Sequence, residues 1–107
     1  MPIQKRHGVR DFGAVSAGTN SIAITLEEAT RGILFIAGTS GAVVTLQFSP
    51  DGGTTWHNVY LEGDVLWTAT LGSTPEAHII PAVGRMLRIA VATQALTGAC
   101  FEGIREI

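Results

Sequence analysis

The chain has 107 residues, a formal net charge of −2, only 15% charged residues, 13 glycines and a single cysteine, Cys100. That is enough chain for one domain with a modest core. The small negative charge excludes a general attraction to nucleic acid or anionic membrane, and one cysteine excludes a disulfide framework or a cysteine-based zinc site.

Residues 1–20 differ in kind from the rest. Lys5, Arg6, His7 and Arg10 form a short basic cluster, and Gly8, Gly13 and Gly18 interrupt any periodicity. An extended N-terminal arm over 1–20 is expected, followed by a β domain over 21–107. Two readings of the arm stand side by side. It is a frayed, solvated terminus, or it lies on a neighbouring subunit or an acidic partner through Lys5, Arg6 and Arg10, with Ile3, Val9, Phe12 and Val15 as apolar anchors that a solvated tail does not need. On the second reading, deleting residues 1–20 leaves the β domain folded and removes partner binding. The N-terminus lacks the apolar core of a signal peptide, and no apolar run approaches the roughly 18 residues of a membrane helix. The protein is therefore expected to be made in a cytosol, and to stay there or leave inside a larger assembly.

The strands follow. Ser21 to Leu26 alternates Ile22, Ile24 and Leu26 against Ala23 and Thr25, the period of a half-buried strand. Glu27 to Gly32 is a polar connection. Ile33 to Ala37 is a continuous apolar run, short and partly β-branched, which predicts a central strand buried on both faces. After a turn at 38–41, Val43 to Leu61 reads as a β-hairpin. Val44, Leu46 and Phe48 alternate with Val43, Thr45 and Gln47, and Trp56, Val59, Tyr60 and Leu61 supply the return strand. The loop Ser49-Pro50-Asp51-Gly52-Gly53-Thr54-Thr55 holds the residue types of tight turns: Pro presets φ, Asp accepts backbone hydrogen bonds and glycine allows positive φ.

This loop resembles the Asp-box hairpin of sialidases and other β-rich proteins, matched at Ser49, Asp51, Gly53, Thr55 and Trp56. The resemblance implies a structural turn, with the carboxylate tying down the loop and the Trp plugging the hairpin base. The motif occurs once here, and the chain has one Tyr and no length for propeller blades, so a sialidase active site is excluded.

Beyond the hairpin, Val65 to Thr70 is a strand with Val65, Trp67 and Ala69 on one side. His78 to Pro81 is a short strand whose proline assigns it to a sheet edge. Arg85 to Thr93 places Leu87, Ile89 and Val91 inward, Gln94 to Gly98 makes a last hairpin loop, and Ala99 to Ile107 returns. The total is about eight short strands divided by Gly-rich turns, an all-β antiparallel two-sheet β-sandwich or jelly roll.

Little in the chain looks like chemistry. His7, His57 and His78 have no metal-ligand spacing, and Glu27-Glu28, Glu62/Asp64 and Glu102/Glu106 suit solvated turns and an exposed strand face. Cys100 has no basic neighbour in sequence to activate it, and no Gly-rich loop precedes a helix. The expectation is a non-enzymatic protein without cofactor or metal. A rival is a lectin-like carbohydrate-binding module stacking sugars on Trp56, Tyr60 and Trp67 beside His57 and Asn58, although the hairpin motif and the alternation around Trp67 assign both tryptophans to the core.

The layout as a whole resembles small β-sandwich proteins of tailed-bacteriophage virions. The shared features are the Val- and Leu-rich strand Val43 to Phe48, the hairpin Ser49 to Trp56, Pro81 followed by the Arg-bearing strand Arg85 to Val91, and the terminal turn Thr97-Gly98. The resemblance implies a virion location and a structural role, foremost as a capsid decoration protein that stabilises a phage head through subunit and arm contacts, or otherwise as a tail or baseplate accessory sandwich. It implies as partners further copies of the chain, a trimer foremost, and the major capsid protein or another virion protein. No nucleic-acid or membrane partner is implied.

Overall fold

The computed structural model describes residues 4–26, 31–81 and 86–106. Among them every regular element is a strand and every pairing is antiparallel. One sheet, A, joins β1 (Gln4–Asp11), β12 (Leu96–Glu106), β4 (Arg31–Gly38) and β10 (Glu76–Pro81) in that order. The other, B, is centred on the pair β11 (Met86–Ala92) and β5 (Val43–Ser49). Along the free side of β11 lie β2 (Thr19–Asn20) and β3 (Ile24–Thr25); along the free side of β5 lie β6 (His57–Asn58) and β9 (Thr68–Thr70). Each of these pairs acts as one interrupted edge strand, so both sheets have four strand positions. Between β6 and β9 the chain makes a separate two-stranded ribbon, β7 (Tyr60–Leu61) with β8 (Val65–Leu66).

The inward faces follow from strand alternation. Leu34 and Ile36 of β4, Ile80 of β10, Ala99 and Phe101 of β12 meet Val44 and Leu46 of β5 and Leu87, Ile89 and Val91 of β11 in one hydrophobic core. Loop residues Ala42, Val59, Trp67 and Leu71 close it. Gly32 sits where the Phe101 ring crosses β4: a Cβ there would overlap that ring and lie 2.6 Å from the Glu102 carbonyl oxygen.

Several expectations change in three dimensions. The residues read as an arm include β1, hydrogen-bonded along β12 with an irregularity between Arg6 and Val9. The chain then crosses to sheet B. Phe12 donates to the Ala99 carbonyl at 2.8 Å, Val15 and Leu96 exchange bonds, Gly18 donates to Val91 at 2.8 Å and Ser21 to Ile89 at 2.8 Å. Phe12 and Val15 are core residues. The sandwich therefore has no boundary at residue 20. The strand expected over 21–26 reduces to two residues of β3, with Ile22 exposed. Residues 27–30, most of the expected polar connection, lie outside the described residues, as do Ile3 and Arg85.

The 43–61 hairpin forms, but its return strand pairs with β5 over a short stretch, with His57 opposite Phe48, Asn58 opposite Gln47 and the Val59 amide donating to Leu46. It then leaves, and β9 takes its place opposite Val43 to Thr45. The Gln94 to Gly98 turn does not make a hairpin. β11 belongs to sheet B and β12 to sheet A, so the chain changes sheet there, through Thr93 at φ 74°. Finally, β4 is buried on one face only. Leu34 and Ile36 point inward, and Phe35 on the other face is 39% exposed.

Candidate functional site

The 49–55 loop is built around one carboxylate. Asp51 Oδ1 accepts from the Ser49 hydroxyl at 2.7 Å, the Thr55 amide at 3.0 Å and the Thr54 amide at 3.2 Å, while Oδ2 accepts from the Thr55 hydroxyl at 2.7 Å. Buried Ser49 in turn accepts from the Gly53 amide at 2.8 Å. Gly52 and Gly53 take φ of 77° and 100°, a region open to glycine at little cost. The Thr55 amide and hydroxyl, then the Ser49 hydroxyl, hold the Asp51 carboxyl well below the usual carboxylate range. The carboxylate's lone pairs are directed into its own loop, which makes this group an anchor rather than a reagent.

What the loop anchors is Trp56, and here the structure departs from the sequence expectation. Trp67 is in the core at 7% exposure, but Trp56 is only half-buried. The Arg88 guanidinium lies 4.3 Å from the Trp56 ring centroid, a cation–π stack. Arg88 Nε donates to Gln47 Oε1 at 2.8 Å, and Gln47 Nε2 donates to Asn58 Oδ1 at 3.1 Å. Trp56, Arg88, Gln47 and Asn58 thus form one chain of contacts across β11, β5 and β6 on the outer face of sheet B. Phe48 and His57 are also ring neighbours, with centroids 5.6 Å apart.

Beside this chain of contacts lies an open groove of about 1020 Å³ along the β6 edge, lined by Phe48, Trp56, His57, Asn58, Tyr60 and Glu62 among others. Tyr60 and Leu61 of β7, with Glu62 after them, bring the β7 side of the β7–β8 ribbon into its lining. The ribbon's turn places both Gly63 and Asp64 at positive φ, and it holds Tyr60, Leu61 and Val65 out in solvent.

A second concave surface, of about 540 Å³, crosses the outer face of sheet A between Asp11, Phe35, Pro75, Ala77 and Cys100. On that face Cys100, Phe35 and Ala77 are in register across three strands, and the next row is Glu102, Ile33 and Ile79. Ile79 is 78% exposed. Burial, then the Asp11 and Glu102 carboxylates, push the Cys100 thiol up, away from the thiolate that a nucleophile needs. At the end of β10, Glu76 accepts from the Gly72 amide at 3.1 Å and pairs with His78 at 2.9 Å, and the His78 ring meets Trp67 edge-on. Those bonds, Gly72's first, hold the Glu76 carboxyl low.

Of the arm residues, Lys5, Arg6, Val9 and Arg10 fall on β1 opposite Arg105, Ile104, Glu102 and Phe101. Phe12 is in the core, where it anchors the sandwich itself. Among the described residues, no three His, Cys, Asp or Glu side chains gather where they could hold a metal ion. Arg88 and Gln47 escaped the sequence reading because Arg88 lies 41 residues from Gln47. The only trace was their outward position in alternating strands.

No protein-family profile matches the chain, and no curated protein matches it significantly.

Proposed function

We propose that the protein is a non-enzymatic structural component of a virion, a decoration-type sandwich that assembles with further copies of itself and with a shell protein through the outer face of sheet A. The observation that carries this reading is the apolar character of that face: Ile33, Phe35, Ala77 and Ile79 lie side by side on neighbouring strands, and Phe35 and Ile79 are exposed. β4 is composed as a strand covered on both sides, and the single chain covers one. Fully burying a large apolar side chain contributes about 1.5–3 kcal/mol; Ile79, at 78% exposure, has most of that still to gain and Phe35, at 39%, a smaller part, so the two would be the centre of a contact whose rim supplies the rest. The basic residues Lys5, Arg6 and Arg10, on the edge strand of the same sheet, suit an acidic rim on the partner. Binding that exists only in the assembled particle would stabilise the particle by mass action. A trimer and a capsid location come from the resemblance to phage virion sandwiches.

Sedimentation of the full chain tests the assembly directly. Self-association is expected, and Ile79→Asp is expected to yield a monomer that keeps the wild-type circular-dichroism spectrum, because Ile79 is 78% exposed and contributes little to the monomer core; its melting temperature should lose the dependence on protein concentration that association gives the wild type. A wild-type chain that stays monomeric and neither binds nor heat-stabilises virion shells would overturn the reading.

A further inference from the structure

We propose that the groove along the β6 edge is a binding site for a neutral oligosaccharide, whose pyranose rings stack on Trp56 and Tyr60 and whose hydroxyls hydrogen-bond to Asn58, His57 and Glu62. The site is on sheet B, and the proposal is independent of assembly through sheet A.

The lining carries the chemical argument. A pyranose presents a flat C–H face and a rim of hydroxyls, so it needs an aromatic surface bordered by small uncharged donors and acceptors. The groove supplies an indole, a phenol, an amide and an imidazole within a few residues of one another. Aromatic residues of this kind offer a large apolar area together with a polar tip. Among the described residues no lysine or arginine lines the groove, the nearby Arg88 guanidinium is engaged with the Trp56 ring and Gln47, and Glu62 repels anions, so the described lining favours neutral glycans over sialylated, sulfated or phosphorylated ones.

Rigidity also matters to such a site. Sugar hydroxyls exchange bonds with water for bonds with protein at little net gain, so a site that must order itself on binding has little affinity left. At Trp56 and Asn58 the order is built in. Arg88 covers one face of Trp56 and is itself fixed by Gln47, and Gln47 fixes the Asn58 carbonyl oxygen. The Asn58 amide nitrogen has no hydrogen-bond partner among the described residues. Trp56, half-buried, is also one of the residues that line the groove.

Size and edge geometry narrow the ligand further. A volume of about 1020 Å³ stands at the upper end of the ~300–1,000 Å³ of small-molecule sites, which suits several sugar rings rather than one. An extended peptide added to the sheet edge is disfavoured. β6 is two residues long, the Val59 amide already donates to Leu46 at 3.1 Å, and the Val59 carbonyl accepts from Trp67 at 2.9 Å.

The test is calorimetry and amide chemical-shift mapping on the full chain with maltotetraose, cellotetraose, chitotetraose and mannotetraose, with sialyllactose as the anionic comparison. At least one neutral tetrasaccharide is expected to bind in the millimolar range or tighter, shifting residues 48 and 56–62. Tyr60→Ala and Asn58→Ala should each weaken binding about tenfold or more, and Ile79→Asp should leave it unchanged. Tyr60 is 57% exposed on the ribbon, so its variant keeps the fold. Absence of binding by all four, tighter binding of sialyllactose, or full affinity in Tyr60→Ala would each overturn the proposal.

Discussion

Asp51 concentrates four hydrogen bonds on one exposed side chain, and its ionisation is therefore linked to folding. Its carboxyl titrates lower in the folded protein than its ordinary 3.8. The stabilisation it gives is fully present above that value and is lost as pH falls towards the lower folded value. Glu76 works in the same direction from its ordinary 4.5. Chemical denaturation at a series of pH values should show a midpoint that is flat near neutrality and falls below about pH 4. Asp51→Asn should lower the neutral midpoint and flatten part of the acid limb; an unchanged midpoint would mean that the loop stands without its carboxylate. This much was readable in the sequence, because Ser49, Asp51, Gly53 and Thr55 sit within one loop whose bonds span at most four residues. The stack of Arg88 on Trp56 was not. Its partners are on different strands, and local composition says nothing about which outward-facing side chains become neighbours.

Strand β4 shows how a backbone position can be set by a side chain from the next strand. Gly32 leaves room for the Phe101 ring, which is buried to 2% exposure over it. An added Cβ would meet both the ring and the Glu102 carbonyl oxygen at less than van der Waals distance, and strand backbone does not yield cheaply. Gly32→Ala should therefore cost about 1–3 kcal/mol by overpacking, measured as a drop in unfolding free energy. If the variant is as stable as the wild type, Phe101 can swing aside and the packing is looser than the geometry indicates. The elements themselves were legible wherever alternation was clean, as in β5 and β11. Where the sequence misled, it did so at connections. The turn before β12 has the composition of a hairpin, yet a Gly- and Thr-rich turn serves equally to carry a chain from one sheet to the other. The apolar run of β4 likewise records burial on two faces without saying whether its own chain supplies both covers.

At the scale of the whole molecule, the N-terminal segment ties the sandwich along one side. It begins as the edge of sheet A, passes Phe12 and Val15 through the core, and reaches β11 of sheet B. Basic and Gly-interrupted composition gave no sign of this, since strand pairing at an edge depends on a partner nearly a hundred residues away. Deleting residues 1–20 should consequently destabilise the domain, contrary to what an independent arm would do. Phe12→Ala alone, which empties a site that is 3% exposed, should cost about 3–5 kcal/mol. Thermal melting followed by circular dichroism checks both variants. A truncated chain that melts as cooperatively and as high as the full one would return the segment to the status of an appendage.

The β7–β8 ribbon interrupts one edge of sheet B without disturbing it, because β6 and β9 enter and leave on the same neighbour, β5. That arrangement makes the ribbon's tip a port. Sequence can be lengthened or exchanged around Gly63 for little more than the cost of closing a longer loop, about 0.6 kcal/mol per doubling. The framework beneath would keep its strand register while descendants of the chain, or a designer using it as a display scaffold, changed what the tip presents.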